Sequence, residues 1–262
     1  MALRRTIKIV LIGSGNVATH LGQALARHHK IAQVFSRNIE NARQLAAMTA
    51  CHNATDDLTE LISDADLYLI SLTDDAIEGV LDATENINSG IWAHTSGSTP
   101  MSVFTGKKKR FGVFYPLQTF SKMKEVDVNR VSMLIEGCND EVTEELKEIA
   151  ESISTVVSLV DSKGRADLHV AAVFACNFVN YMWVIADELL HKHNLNISAM
   201  MPLLEETLNK LKEMSPEAAQ TGPARRGDTK VIDRHLQSLA GAPREVYKLV
   251  SDLILKHYHS HE

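Results

Sequence analysis

The chain has 262 residues, 45% of them hydrophobic and 23% charged, and a formal net charge of −6. This excludes a disordered chain, which needs few apolar residues, and a nucleic-acid binder working through a basic surface. No apolar run is read as approaching the roughly 18–20 residues that span a bilayer, and Met1-Ala2-Leu3-Arg4-Arg5-Thr6 lacks signal-peptide architecture. Cys51, Cys138 and Cys176 lie far apart and read as free thiols. A cytoplasmic protein with a small-molecule substrate and no nucleic-acid or membrane partner is expected.

Residues 7–12 form a short, mostly apolar run suited to a strand buried on both faces. Val17, Leu21, Ala24 and Leu25 then recur at helical spacing. Further strands are predicted at 31–36, 66–72, 91–94, 111–114, 132–135 and 155–160, with helices at 40–48, 58–63, from Asp74, and at 141–152. Repeated β–α alternation implies right-handed crossovers and a mainly parallel sheet. After Gly164 the strand signals stop. Leu168, Ala171, Ala175, Phe178, Met182, Ile185 and Leu189 repeat at 3,4 spacing, with Val170, Val173, Phe174 and Val184 on the other faces. Such a helix must be buried on most sides, within a helical domain, at a dimer interface, or both. Three more helices are predicted near 198–214, 228–239 and 244–257. The expected architecture is therefore α/β: a Rossmann-like sheet domain over 1–163 that binds a dinucleotide, then an all-helical domain over 164–262 for substrate and dimerisation.

Gly13-Ser14-Gly15-Asn16-Val17-Ala18 sits at the first strand–helix junction and fits GxGxxA. The first glycine permits the turn, the second leaves room for a pyrophosphate, and the helix N-terminus offers unpaired N–H groups to it. The second strand ends in Ser36-Arg37-Asn38 rather than in the acidic residue that favours NAD. An arginine beside a hydroxyl suits a 2′-phosphate, so the expected cofactor is NADP, with NAD possible; Arg37 as a solvated turn residue is the alternative. The cofactor-binding set is Gly13, Ser14, Gly15, Asn16, Val17, Ser36, Arg37, Leu72 and Thr73.

Ligands of open α/β sheets bind beyond the carboxyl ends of the strands. Three polar segments occur there: Leu72-Thr73-Asp74, His94-Thr95-Ser96-Gly97-Ser98 and Tyr115-Pro116-Leu117-Gln118-Thr119. They read either as a site that orients a carbonyl or imine, or as polar loops with caps. His169, Asn177 and Asn180 are polar exceptions on the apolar helix, and buried polar groups need partners. At 100° per residue His169 lies about 80° around the helix from Asn177. His169 is a candidate proton donor, since imidazoles exchange protons near neutral pH, or else a structural histidine. The catalytic candidates are His169, Ser96, Asn177 and Gln118, and no metal site is expected. Arg225 and Arg226, in Thr221–Asp228, either bind an anion or are solvated. Lys107-Lys108-Lys109-Arg110 reads as a solvated turn, and His257, His259 and His261 as a fraying tail.

On the segments Ile12–Ala18, His94–Gly97, Tyr115–Gln118, His169–Asn177, Thr221–Pro223 and Arg226–Asp228, the chain resembles a family of Rossmann-like oxidoreductases with a helical C-terminal domain of unknown function. That family is related to pyrroline-5-carboxylate reductase and to the 3-hydroxyisobutyrate and 6-phosphogluconate dehydrogenases. The resemblance implies an NAD(P)-binding domain, a helical homodimerisation domain and a cleft between them. The hydroxyacid dehydrogenases place a lysine four residues before an asparagine on this helix. With Asn177 in that role the lysine position is Val173, so their mechanism does not carry over. The expected function is transfer of hydride between NADP and a small polar carbonyl or imine; a non-catalytic NADP(H) sensor or scaffold is the alternative.

Overall fold

The computed structural model describes residues 5–259. Its first part alternates β1 (Lys8–Ile12), α1 (Asn16–Ala26), β2 (Lys30–Phe35), α2 (Ile39–Met48), β3 (Ala54–Thr55), β4 (Leu67–Ile70), α3 (Asp74–Ala83), β5 (Ile91–His94), β6 (Phe111–Leu117), β7 (Ser132–Gly137), α4 (Asp140–Glu151) and β8 (Val157–Leu159). The predicted helix at 58–63 is a single 3₁₀ turn, Leu58–Glu60. The strands form one sheet in the order β3-β2-β1-β4-β5-β6-β7-β8. All neighbours are parallel except β6 and β7. The order reverses at β1, where the chain crosses from β3 on one side to β4 on the other, and such a reversal opens a crevice at the carboxyl ends of the strands.

Period-two alternation divides the core between the two faces of the sheet. Ile9 and Leu11 pack with Leu21, Leu25, Leu45, Val142 and Leu146 from α1, α2 and α4. Val10 and Ile12 pack with Ile77, Val80 and Leu81 of α3 and with Tyr68, Trp92 and Phe104. The central strands β1, β4 and β5 are covered on both sides, which is why their sequences read as largely apolar runs.

The helices that follow are α5 (Ser162–Ala172), a π turn (Val173–Phe178), α6 (Val179–His191), α7 (Met201–Glu213), the short α8 (Pro216–Ala219) and α9 (Pro223–Arg226), α10 (Thr229–Ser238) and α11 (Gly241–His259). The chain divides into two compact units between Cys176 and Asn177, and α5 lies in the unit that holds the sheet. There Arg165 of α5, 1% exposed, pairs with Glu136 of β7.

Several expectations are corrected. The stretch Ser162–His191 contains an 18-residue window of mean hydropathy 1.6, long and apolar enough to cross a membrane by length and composition. Isolated polar residues hid that average from a search for unbroken runs. None of this window is buried within the chain, so the chain's own helices do not supply the expected cover; Phe174 is 64% exposed and Val170 54%. The π turn, with its i→i+5 bonds, also breaks the count of 100° per residue that related His169 to Asn177. Lys107–Arg110 is more than a solvated turn. Lys108 is 5% exposed, donates to the carbonyls of Thr84 and Ile87, and lies 3.9 Å from the centroid of Trp92. Burial pushes its ammonium down to about 8. The C-terminal helix holds through His259, whose ring bonds the Arg225 carbonyl, and Arg225 lies over the Tyr258 ring; His261 lies outside the described residues.

Candidate active site

The turn after β1 is shaped by steric necessity. Gly13 has φ +120°, and a Cβ there would lie 2.2 Å from the Ser71 carbonyl oxygen of the neighbouring strand end. Its N–H donates to the Phe35 carbonyl of β2, 2.8 Å away. Gly15 differs: a Cβ there meets nothing within 4 Å. Gly15 is the N-cap of α1, with no side-chain cap and no acidic residue in the first turn. The first N–H groups and the positive end of the helix dipole are therefore left for an anion. Ser14 bonds Ser36 through their hydroxyls at 2.8 Å, which joins the turn to the end of β2. Arg37 follows, exposed. An open cradle above Gly15, free amides and an adjacent guanidinium fit a dinucleotide diphosphate with a phosphorylated ribose.

The other strand ends connect in sequence across the sheet. Leu72, at the end of β4, would touch a Gly13 Cβ at 3.1 Å, and exposed Thr73 is the N-cap of α3. Ser71 accepts from the Thr95 hydroxyl at 3.2 Å. The Ser98 hydroxyl donates to Asp74. Burial works to raise the Asp74 carboxyl, but hydroxyls of Ser98, Ser96 and Thr99 outweigh it and hold it below its usual range.

The polar atoms of His94 and Ser96 make bonds within the loop itself. His94 is fully buried, its ring stacked on Phe104 at 5.5 Å, and its Nδ1 accepts the Ser96 N–H at 3.2 Å. Burial, helped by the Arg165 charge, pushes its imidazole down to about 4, so it is neutral at physiological pH. The Ser96 hydroxyl accepts from the N–H groups of Ser98 and Thr99 at 3.2 and 2.9 Å, which folds the loop over it.

Gly97 makes the next contact possible. A Cβ there would lie 2.5 Å from His169 Nδ1 and 3.0 Å from Tyr115 Cζ, so only glycine admits both rings against this loop. The Tyr115 hydroxyl and His169 Nδ1 are 3.0 Å apart, with the rings edge to face. Burial pushes the Tyr115 phenol up, against an opposing pull from Arg165. Four residues before His169, Arg165 donates to Glu136 and, at 2.7 Å, to the Thr99 carbonyl, tying α5 to the same loop. Ser162 donates to Glu136 at 2.8 Å and accepts from the Met101 N–H at 2.9 Å.

Of the sequence-predicted catalytic set, His169 packs on Gly97, the residue that follows Ser96. Gln118 is exposed at the end of β6, its carbonyl taken by the Thr119 N–H. Asn177 is exposed on the π turn, in the second unit. The sequence reading missed Tyr115 and Arg165. Tyr115 sat in a flagged segment from which only Gln118 was singled out. Arg165 announced itself only as one charge opposite a lone Glu136 in an apolar strand.

A family model described as NADP oxidoreductase, coenzyme F420-dependent, matches residues 8–91, and a domain of unknown function, DUF2520, matches residues 131–254. A crystal structure from Bacteroides fragilis named "putative NADP oxidoreductase" is 44% identical over 96% of this chain and 98% of its own, with a TM-score of 0.88. The chain belongs to this NADP oxidoreductase family. Two more distant structures share the family's fold. Protein TM1727 of Thermotoga maritima is 21% identical over 94% of this chain and 99% of its own, with a TM-score of 0.75. The reductive aminase of Aspergillus terreus, solved with NADPH and ethyl levulinate, is 14% identical over 98% and 95%, with a TM-score of 0.73. No curated protein matches the chain.

Proposed function

We propose that the protein reduces a small polar carbonyl or imine with NADPH, and that Tyr115 and His169 hold the proton this reduction consumes. The observation that carries the reading is the 3.0 Å bond between the Tyr115 hydroxyl and His169 Nδ1, seated on Gly97 on the same strand-end rim as the phosphate-binding turn. The turn at Gly13–Val17, with Ser36 and Arg37, would hold the dinucleotide. When bound, its nicotinamide supplies the hydride. The chain's residues supply orientation and the proton. A phenol donating to Nδ1 leaves the imidazole proton on Nε2, so Tyr115 fixes the tautomer; as Nε2–H passes to the substrate nitrogen or oxygen the phenolic proton moves to Nδ1, and the phenolate is reprotonated from solvent. The raised phenol keeps Tyr115 in its donating form at neutral pH. Ser96 shapes the loop, and the free amide N–H₂ of Gln118 is available to a polar substrate group.

A homodimer completes this reading. Val170, Phe174, Phe178 and Tyr181 are exposed apolar side chains, and a second copy would cover them. Light scattering should give twice the chain mass, and Phe174→Glu should halve it. A monomeric wild-type protein at micromolar concentration, or one that partitions into vesicles, would end the dimer assignment.

NADPH should bind at least tenfold more tightly than NADH by calorimetry, and Arg37→Ala should close that gap; equal weakening of both would remove the NADP assignment. Across a panel of cyclic imines, 2-oxoacids and ketone–amine mixtures, NADPH oxidation is expected. Tyr115→Phe should lower kcat/KM about 10- to 100-fold with NADPH affinity unchanged. Tight NADPH binding with no turnover on any panel member would make the protein a dinucleotide sensor instead.

A further inference from the structure

A cavity of about 690 Å³ opens on the outer side of the sheet unit, between α1, α2, the β6–β7 loop and the end of α4. Buried Ala24, Leu45, Val128 and Ile153 contribute apolar lining, and Arg27, Lys122 and Lys124 contribute positive charge. Among the described residues these three cations have no ion pair and no side-chain hydrogen bond, whereas Arg43 pairs with Glu40 and Lys147 with Glu144 in the adjoining helices. Two carboxylates also line the cavity. Asp127 accepts the Asn129 N–H, while Glu125 stays exposed and offers an acceptor.

The β6–β7 loop that carries Lys122 and Lys124 is fastened to the first turns of α1. Asn16 Nδ2 donates to the Phe120 carbonyl at 3.0 Å, His20 Nε2 bonds the Ser121 carbonyl at 3.0 Å, and the His20 ring stacks on Phe120 at 4.8 Å. Those turns of α1 are the ones that begin at the phosphate-binding glycines.

We propose that this cavity is a second small-molecule site, for a metabolite that carries a phosphate or two carboxylates together with hydroxyl or amino donors, and that its occupancy tightens dinucleotide binding. Its volume suits a small metabolite. The anion bridges Arg27 of α1 to Lys122 and Lys124 of the loop, the donors meet Glu125, and the loop is held onto α1 above the turn. The regulatory half rests on the dinucleotide reading; the binding half does not.

The test uses the full chain saturated with NADPH and titrated calorimetrically with glucose 6-phosphate, phosphoserine, citrate and adenosine monophosphate. At least one should bind below 1 mM with one site per chain. Arg27→Ala/Lys124→Ala should weaken it at least tenfold without moving the melting temperature, since both side chains are exposed. NADPH affinity should rise at least threefold in its presence. Failure of all four probes, or binding unaffected by the double variant, overturns the site; binding with unchanged NADPH affinity overturns the regulation. Gly15→Val separates this proposal from the function proposed above: it should abolish NADPH binding and bind the second ligand as tightly as the NADPH-free wild-type chain does.

Discussion

Gly15→Val will fold and lose NADPH; Gly13→Ala will fail to fold stably. The two glycines stand two residues apart in one turn, yet their surroundings differ. A side chain at Gly15 enters open space, and the backbone there has φ −74°, a value any residue adopts. The cost to the fold is about 1 kcal/mol, the difference in N-cap preference between glycine and valine. The same side chain fills the cradle in front of the first free amides of α1, so NADPH affinity should fall at least 100-fold, about 2.7 kcal/mol or more. At Gly13 the conflict is internal. The backbone has φ +120°, and a Cβ would sit 2.2 Å from the Ser71 carbonyl. An alanine must push β4 away from β1 at the centre of the sheet, which costs several kcal/mol. Thermal melts and NADPH titration of both variants check this. Undiminished NADPH binding in Gly15→Val would mean that the diphosphate lies elsewhere, and a wild-type melting temperature in Gly13→Ala would remove the steric account of the turn.

What the sequence discloses follows from which interactions are local. Strands such as residues 9–12 are legible because both faces are covered, so every position is apolar. Helices such as α4 announce themselves by an N-cap, Asn139, and a repeating face, Val142, Leu146 and Ile149. The phosphate turn is legible because a tight bend and a close ligand approach both demand small residues at fixed spacing. By contrast β3 has only Ala54 and Thr55, and its existence is decided by pairing with Val34 and Phe35 of β2. The reversal between β6 and β7 depends on the connection, not on strand composition. Within the candidate site, Tyr115 is a strand residue by pattern and becomes a site residue only because Gly97 and His169 meet it from other elements. His94 and Ser96 show another limit: a sequence cannot tell that the polar atoms at a strand end also bond within their own loop.

Arg165→Met should destabilise the protein by about 3–5 kcal/mol, because it leaves Glu136 with no charged partner in a largely dry setting. Arg165 is 1% exposed; it holds Glu136 of β7, the Thr99 carbonyl after β5 and its own helix at Ser162. Removing it strands the Thr99 carbonyl as well. At this chain length the loss corresponds to about 10 °C in melting temperature. The double variant Arg165→Met/Glu136→Gln should recover a large part of that, since the stranded charge is then gone and a neutral amide still accepts from Ser162. Stability is one readout; position is the other. Arg165 anchors α5 one turn before His169, so the double variant, though folded, should show depressed kcat with unchanged NADPH affinity, as the His169 ring is no longer held against Gly97. A melting temperature in Arg165→Met within about 1 °C of wild type would show that the pair does not carry α5. Full kcat in the double variant would show that the Tyr115–His169 contact is set by the two rings and Gly97 alone.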